Sequence, residues 1–203
     1  MKLMYSPTSP YVRKVMVLAI ERGLDRKIRK VPVAASPIAV NKPLDKANPL
    51  AKVPALILDN GLSLFDSPVI CEYLDSRHRG ARVFPASGLR RWKALRLQAI
   101  GDGILDAAIL VRYETAMRPE KLRWPEWIAG QRKKFNQALD VLEREARSLA
   151  GGLTIGQITV ACALGYLDFR YADLNWRRNR PRLAAWYDRF ARRKSMQATI
   201  PPT

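Results

Sequence analysis

The chain has 203 residues, 48% of them hydrophobic and 27% charged, enough apolar material for a sizeable core in one or two domains. No run of about 18 apolar residues occurs, so no membrane-spanning helix is expected. The formal net charge is +18, with 13 basic and 7 acidic residues in 1–80 and 23 and 11 in the remainder, a field that attracts small anions, nucleic acid or acidic surfaces.

Lys2–Tyr5 is a short strand candidate, followed by a turn over Ser6–Pro10 with two prolines and small hydroxyl residues. No apolar signal core precedes those prolines, which argues against a secretory leader. Tyr11–Arg22 reads as a helix: Val12, Val15, Met16 and Ala19 recur at helical spacing, Pro10 suits the first turn and Gly23 ends it. Lys27–Val33 is a second strand, and residues 34–53, with Pro37, Pro43 and Pro49, read as irregular. Pro54–Leu58 and Leu62–Phe65 flank D59-N60-G61 as a hairpin. Asp66–Ser76 is a helix with Val69, Ile70, Tyr73 and Leu74 on one face. Strands 1 and 2, joined by a helix, are expected to be parallel, and the hairpin makes the sheet mixed.

Residues 77–87 read as a connector, and 88–203 as all-helical. The expected helices are Leu89–Met117, Pro125–Ala150, Thr154–Tyr171 and Arg182–Arg193. The third is apolar on every side, I158-T159-V160-A161-C162-A163-L164, so it is expected to be the buried central helix. Thr154 and Gln157 match a capping box at its start. Cys71 and Cys162 lie far apart with no metal spacing, which fits two reduced core thiols in a cytoplasmic protein. The densest basic run is W176-R177-R178-N179-R180-P181-R182, continued by Arg189, Arg192, Arg193 and Lys194. No nucleic-acid motif accompanies it, so a solvated basic face is the expectation.

Two features suggest chemistry. Pro54 stands at the head of an apolar strand, where a proline is unusual. Asp66-Ser67 opens a helix, where free N–H groups can hold an anion or simply be capped.

The segments S6-P7-T8-S9-P10-Y11, N48-P49-L50-A51-K52-V53-P54-A55-L56, F65-D66-S67-P68-V69-I70 and T154-I155-G156-Q157-I158-T159, in that order and spacing, resemble the glutathione transferase family along essentially the whole chain. The resemblance is to bacterial members with a serine in the first motif. It implies a thioredoxin-like N-terminal domain with a mixed four-stranded sheet, then a helical C-terminal bundle. It implies a cis bond before Pro54, with the Val53 backbone pairing with the cysteinyl part of glutathione, Ser67 on the γ-glutamyl carboxylate and Asp66 on the ammonium. Lys42 and Lys52 stand where the family places side chains near the glycine carboxylate, and Asp106 where an acid crosses a two-fold dimer interface. Tyr11, Ile109, Arg112, Tyr113 and Met117 are the implied pocket for the second substrate.

Glutathione would be a co-substrate, with no tightly bound cofactor and no metal. The implied activity is conjugation of an electrophilic small molecule in detoxification. The catalytic task is to keep the sulfur ionised near neutral pH, although a free thiol titrates near 8.5. Ser9 is the leading hydroxyl donor, just before the first helix, with Tyr5 as the alternative and a plain helix cap as the bland reading of Ser9. Serine in place of the glutaredoxin-type cysteine disfavours thiol transfer. A non-catalytic binding protein on the same fold, and a glutathione-dependent isomerase or peroxidase, stay open. Gln157 departs from the family's Asp at that position, and the charge of +18 is a second departure.

Overall fold

The computed structural model describes residues 1–202, in two compact units: residues 1–86 with 193–202, and residues 87–192. The first unit is built on a four-stranded sheet. Its strands are β1 (Lys2–Tyr5), β2 (Arg29–Pro32), β3 (Ala55–Ile57) and β4 (Ser63–Leu64), in the spatial order β2-β1-β3-β4. β1 and β2 run parallel with Met4 opposite Val31. β3 lies antiparallel to both β1 and β4, with Met4 opposite Ala55 and Leu56 opposite Leu64. The mixed sheet is the one the sequence pattern implied.

Helix α1 (Pro10–Glu21) crosses between β1 and β2 and buries Val12, Val15, Met16, Val17, Leu18 and Ala19. Helix α2 (Lys42–Ala47) forms inside the stretch read as irregular. Asn41 caps it by accepting from Leu44 N–H at 3.2 Å, and Pro43 suits its first turn, while its prolines and short length hid it from periodicity. Helix α3 (Ser67–Ser76) packs on α1 and buries Ile70, Cys71 and Leu74.

The expected connector is anchored rather than loose. Asp75 is buried, and its carboxylate accepts from Val83 N–H and Phe84 N–H, both at 3.0 Å. Val83 and Phe84 are themselves buried, so 78–86 folds back onto the first unit. His78 ties into the same carboxylate: Gly80 N–H donates to Nδ1, which leaves Nε2 as the ring's donor toward Asp75 at 3.1 Å.

The second unit is helical: α4 (Gly88–Ala116), α5 (Pro125–Arg144), α6 (Ile155–Arg170) and α7 (Pro181–Ala191). Helix α6 is buried from Ile155 to Leu167. It meets α4 at two glycines. A Cβ on Gly156 would sit 2.5 Å from Leu97 Cβ, and one on Gly101 would sit 2.8 Å from Thr159 Cγ2. Hydrogen in place of a side chain is what lets the two backbones approach. Helix α5 stops at Arg144, and a tight turn over Ala146–Leu149 replaces its expected last residues.

A short helix α8 (Lys194–Gln197) follows, and residues 193–202 pack on the first unit instead of ending the helical one. The buried Arg13 of α1 donates to Met196 C=O at 3.1 Å and to Thr199 Oγ1 at 3.4 Å. Glu21, at the other end of α1, accepts two bonds from Arg193 at 2.7 and 2.8 Å and one from Ser195 Oγ at 2.5 Å. The C-terminal segment is thus strapped along α1.

Candidate functional site

The strand directions bring three chain segments to one end of the sheet. Ser9 follows the end of β1, Val53-Pro54 precedes the start of the antiparallel β3, and Asp66-Ser67 follows the end of β4. Each segment offers polar groups not used by the fold.

Ser9 is the N-cap of α1 in extended conformation, and its Oγ accepts from Val12 N–H at 3.3 Å. That bond uses a lone pair, so the O–H remains available to donate. Pro10 occupies the first turn, and no acidic residue stands there to offset the positive end of the helix. Tyr5 closes β1; its backbone carbonyl accepts from Val33 N–H at 2.9 Å and its ring lies under Lys30 Nζ at 5.0 Å. Tyr11, also in the first turn of α1, is half-buried.

The Val53–Pro54 peptide bond is cis, as is Phe65–Asp66. The loop before Val53 is held by buried Asn48, whose Nδ2 donates to Lys52 C=O at 2.8 Å and whose Oδ1 accepts from Leu50 N–H at 3.0 Å. Ala51 adopts a positive φ of 53° in that turn. Among the described residues, nothing pairs with the Val53 N–H or C=O. An unused N–H and C=O on one residue form a strand edge that an extended peptide can join.

Ser67 is the first residue of α3 and 2% exposed, while Asp66 is exposed and its carboxylate makes no capping bond. Simple capping by the Asp66 side chain, the bland reading of this motif, is not what the geometry holds. Lys42 opens α2 and Lys52 ends the Asn48 turn, and both are exposed. The remaining expected residues, Asp106, Ile109, Arg112, Tyr113 and Met117, all lie on α4 in the second unit. Asp106, Ile109, Tyr113 and the C-cap Met117 share one side of that helix at three- and four-residue spacings.

Sequence reasoning missed the residues that hold the site from behind. Asn48 fixes the loop that presents Val53, and Arg13 and Glu21 fix α1, which carries Ser9. Their partners lie beyond local pattern, Arg13 and Met196 being 183 positions apart. In the second unit, buried Glu114 accepts from Trp124 N–H at 3.0 Å and from Arg118 Nε at 2.8 Å, closing the turn after α4. Tyr171 donates to Ala108 C=O at 2.5 Å, and burial pushes its phenol up to about 12. Among the described residues, no group of three His, Cys, Asp or Glu is placed to hold a metal ion, and no helix is long and apolar enough to cross a membrane.

The mixed sheet with its helical second unit, and the three segments at one sheet end, define a thioredoxin-like domain followed by a helical bundle. Residues 8–77 match the glutathione S-transferase N-terminal domain, and residues 125–189 the glutathione S-transferase C-terminal domain. The chain is 33% identical over 205 residues to the uncharacterized GST-like protein YibF of Escherichia coli K12, covering 100% of this chain and 99% of that one. It superposes at a TM-score of 0.98 on a glutathione transferase family member from Pseudomonas fluorescens Pf-5 with bound glutathione, at 50% identity and covering 100% and 99% of the two chains. A glutathione S-transferase from Methylobacillus flagellatus KT with glutathione bound gives a TM-score of 0.90 at 37% identity, covering 99% of each chain. The chain belongs to the glutathione S-transferase family.

Proposed function

We propose that this protein binds glutathione at the sheet end formed by Ser9, Val53 and Asp66-Ser67, and uses its thiolate to attack an electrophilic small molecule. The observation that carries this reading is the unused backbone of Val53 beside the uncapped start of α3. Glutathione is a peptide with a thiol in its middle and a free carboxylate at its γ-glutamyl end, so it matches a strand edge and a helix start in sequence. Val53 pairs with the cysteinyl backbone. The Ser67 hydroxyl and N–H hold the γ-glutamyl carboxylate at the positive end of α3, and Asp66 faces the ammonium. Lys42 and Lys52 stand on the glycine-carboxylate side.

Ser9 is the thiolate stabiliser in this reading, with its O–H donating to the sulfur while its lone pair keeps the α1 cap. A donor to the charged form, together with the positive end of a helix, lowers a thiol pKa. Tyr5 is the alternative donor. A two-fold homodimer, with Asp106 reaching a partner's site, and a role in cytoplasmic detoxification complete the proposal. The two buried cysteines, Cys71 and Cys162, are not joined in a disulfide, which supports a reducing compartment.

Calorimetric titration with glutathione tests the site. A hydrogen bond to a charged group contributes about 1.5–3 kcal/mol, so Ser67→Ala weakens binding about 10- to 150-fold. Absence of binding at millimolar glutathione defeats the proposal. Turnover of chlorodinitrobenzene by Ser9→Ala at wild-type rate leaves Ser9 as a cap only and moves the role to Tyr5.

A further inference from the structure

The densest basic run, W176-R177-R178-N179-R180-P181-R182 with Arg189 and Arg192, lies outside the segments assigned to glutathione, and the structure sorts it into spent and unspent cations. Arg177 is spent: it pairs with Asp168 through Nη2 at 2.8 Å, and its guanidinium lies 4.4 Å from the Trp176 ring centroid. Arg180 is spent: Nε donates to Asp140 at 2.8 Å, and Nη1 to Trp176 C=O at 3.2 Å. Glu143, which could have neutralised a neighbour, instead caps α7 by accepting from Arg182 N–H at 3.2 Å and Leu183 N–H at 2.8 Å. Asp140, Glu143 and Asp168 are therefore consumed by the fold, and the exposed Asp188 of α7 lies 3.8 Å from Arg177 Nε. Arg178, Arg182, Arg189 and Arg192 are exposed, and among the described residues no side chain pairs with their guanidinium groups. Lys133 and Arg144, on α5 either side of Asp140, are exposed as well.

These arginines are arranged along a line. At about 100° per residue, Arg182, Arg189 and Arg192 fall within roughly 80° of one another on α7, over a rise of about 15 Å. That length matches roughly four to five nucleotides of one strand. The opposite side of α7 is fixed in the core by Leu183, Trp186, Tyr187 and Phe190, so the line is rigid. No large apolar side chain is exposed between Trp176 and Arg192, which leaves nothing to insert into a lipid surface. Arginine suits phosphate through its planar fork of donors.

We propose that the outer face of α7, with the turn at Arg178 and the flank of α5, binds the phosphate backbone of nucleic acid without regard to sequence. A solvated basic face is the alternative, and the salt series below separates the two.

Fluorescence anisotropy of a labelled DNA duplex of about 20 base pairs, read across a salt series on the full chain, tests this. The wild type binds, and the logarithm of its affinity falls linearly with the logarithm of salt. Replacing Arg178, Arg182, Arg189 and Arg192 by Ala lowers the magnitude of that slope by about 3 to 4 and weakens binding more than about 100-fold at low salt. A control replaces Arg26, Arg29, Arg79 and Arg82, four exposed arginines of the first unit, by Ala. It removes the same charge and changes affinity less than about threefold. Unchanged glutathione titration and unchanged circular dichroism show that both variants are folded. Three results overturn the proposal: no wild-type binding at low salt, equal loss in the two variants, or capture by phosphatidylglycerol vesicles with none by duplex.

Discussion

Gln157 is the sharpest place to test how the helical unit is held. Its side chain is 5% exposed and makes two bonds to backbone. Oε1 accepts from Thr154 N–H at 2.5 Å, closing the capping box of α6, and Nε2 donates to Leu149 C=O at 2.8 Å. Removing both through Gln157→Ala costs about 1 kcal/mol for each bond, plus the packing of the lost side-chain atoms, or about 2–3 kcal/mol in all. For a chain of this size that lowers Tm by roughly 5–10 °C. Gln157→Glu keeps the acceptor at a helix start, where negative charge is favourable, but loses the donor to Leu149. Leu149 C=O still accepts from Trp186 Nε1 at 3.0 Å, so this variant loses only about 1 kcal/mol. Urea unfolding followed by circular dichroism is expected to rank wild type above Gln157→Glu above Gln157→Ala. Gln157→Ala within about 0.5 kcal/mol of wild type, the range of an ordinary surface change, refutes the reasoning.

Gly156→Ala is expected to destabilise by at least about 2 kcal/mol in the same assay, because the new Cβ meets Leu97 Cβ at 2.5 Å and Ala94 C=O at 2.7 Å. Glu21 titrates below the ordinary carboxylate range, chiefly through its hydrogen bonds from Arg193, against an opposing effect of burial. Its contribution is therefore full above the unfolded value of about 4.5 and is lost as pH falls through the lower folded value. Glu21→Gln should flatten the acid limb of the stability curve, and an unaltered limb counts against the strap. Tyr171 reaches about 12 through burial, so its stabilising effect is complete below about 10 and disappears as pH rises through 12. Absorbance at the phenolate band in Tyr171→Phe should lack the component that titrates near 12, and loss of an earlier component instead contradicts the assignment.

The fold class was legible because its signals are local: short strand-like runs bounded by turn residues for β1 and β3, helical spacing in α1 and α3, and an unbroken apolar run for α6. The candidate segments were legible for the same reason, since a proline at a strand head and Asp-Ser before an apolar helix are readable from neighbours alone. What escaped was held by distance or by brevity. Helix α2 has 6 residues, too few to show a period. The anchoring of 78–86 depends on the buried carboxylate of Asp75, which looked like any polar residue near a helix end, and on Arg22, which donates to Ala81 C=O at 2.8 Å from 59 positions away. The return of 193–202 to the first unit could not be read from a segment whose charges resembled the basic face beside it. Even that face proved to be two populations, because Arg177 and Arg178 are identical in sequence terms and opposite in use.

The strap makes a separable prediction about α1. Arg13 is buried and is the internal link between α1 and α8, with Glu21, Arg193 and Ser195 forming the outer one. Arg13→Met preserves most of the side-chain volume and removes donors to Met196 C=O and Thr199 Oγ1. A charged donor to a buried carbonyl contributes about 1.5–3 kcal/mol, and the cost falls on a segment with little other burial, since only Ser195 and Met196 of α8 are buried. The loss should therefore appear as local opening: amide exchange over 194–200 accelerates about 10- to 100-fold while α3 is unaffected. Uniform acceleration across the first unit makes Arg13 a global core residue, and no acceleration makes the strap decorative. Either result removes the link from the C-terminal segment to the placement of Ser9. The expected local result means that residues nearly the whole chain apart set how firmly the hydroxyl at the start of α1 is held.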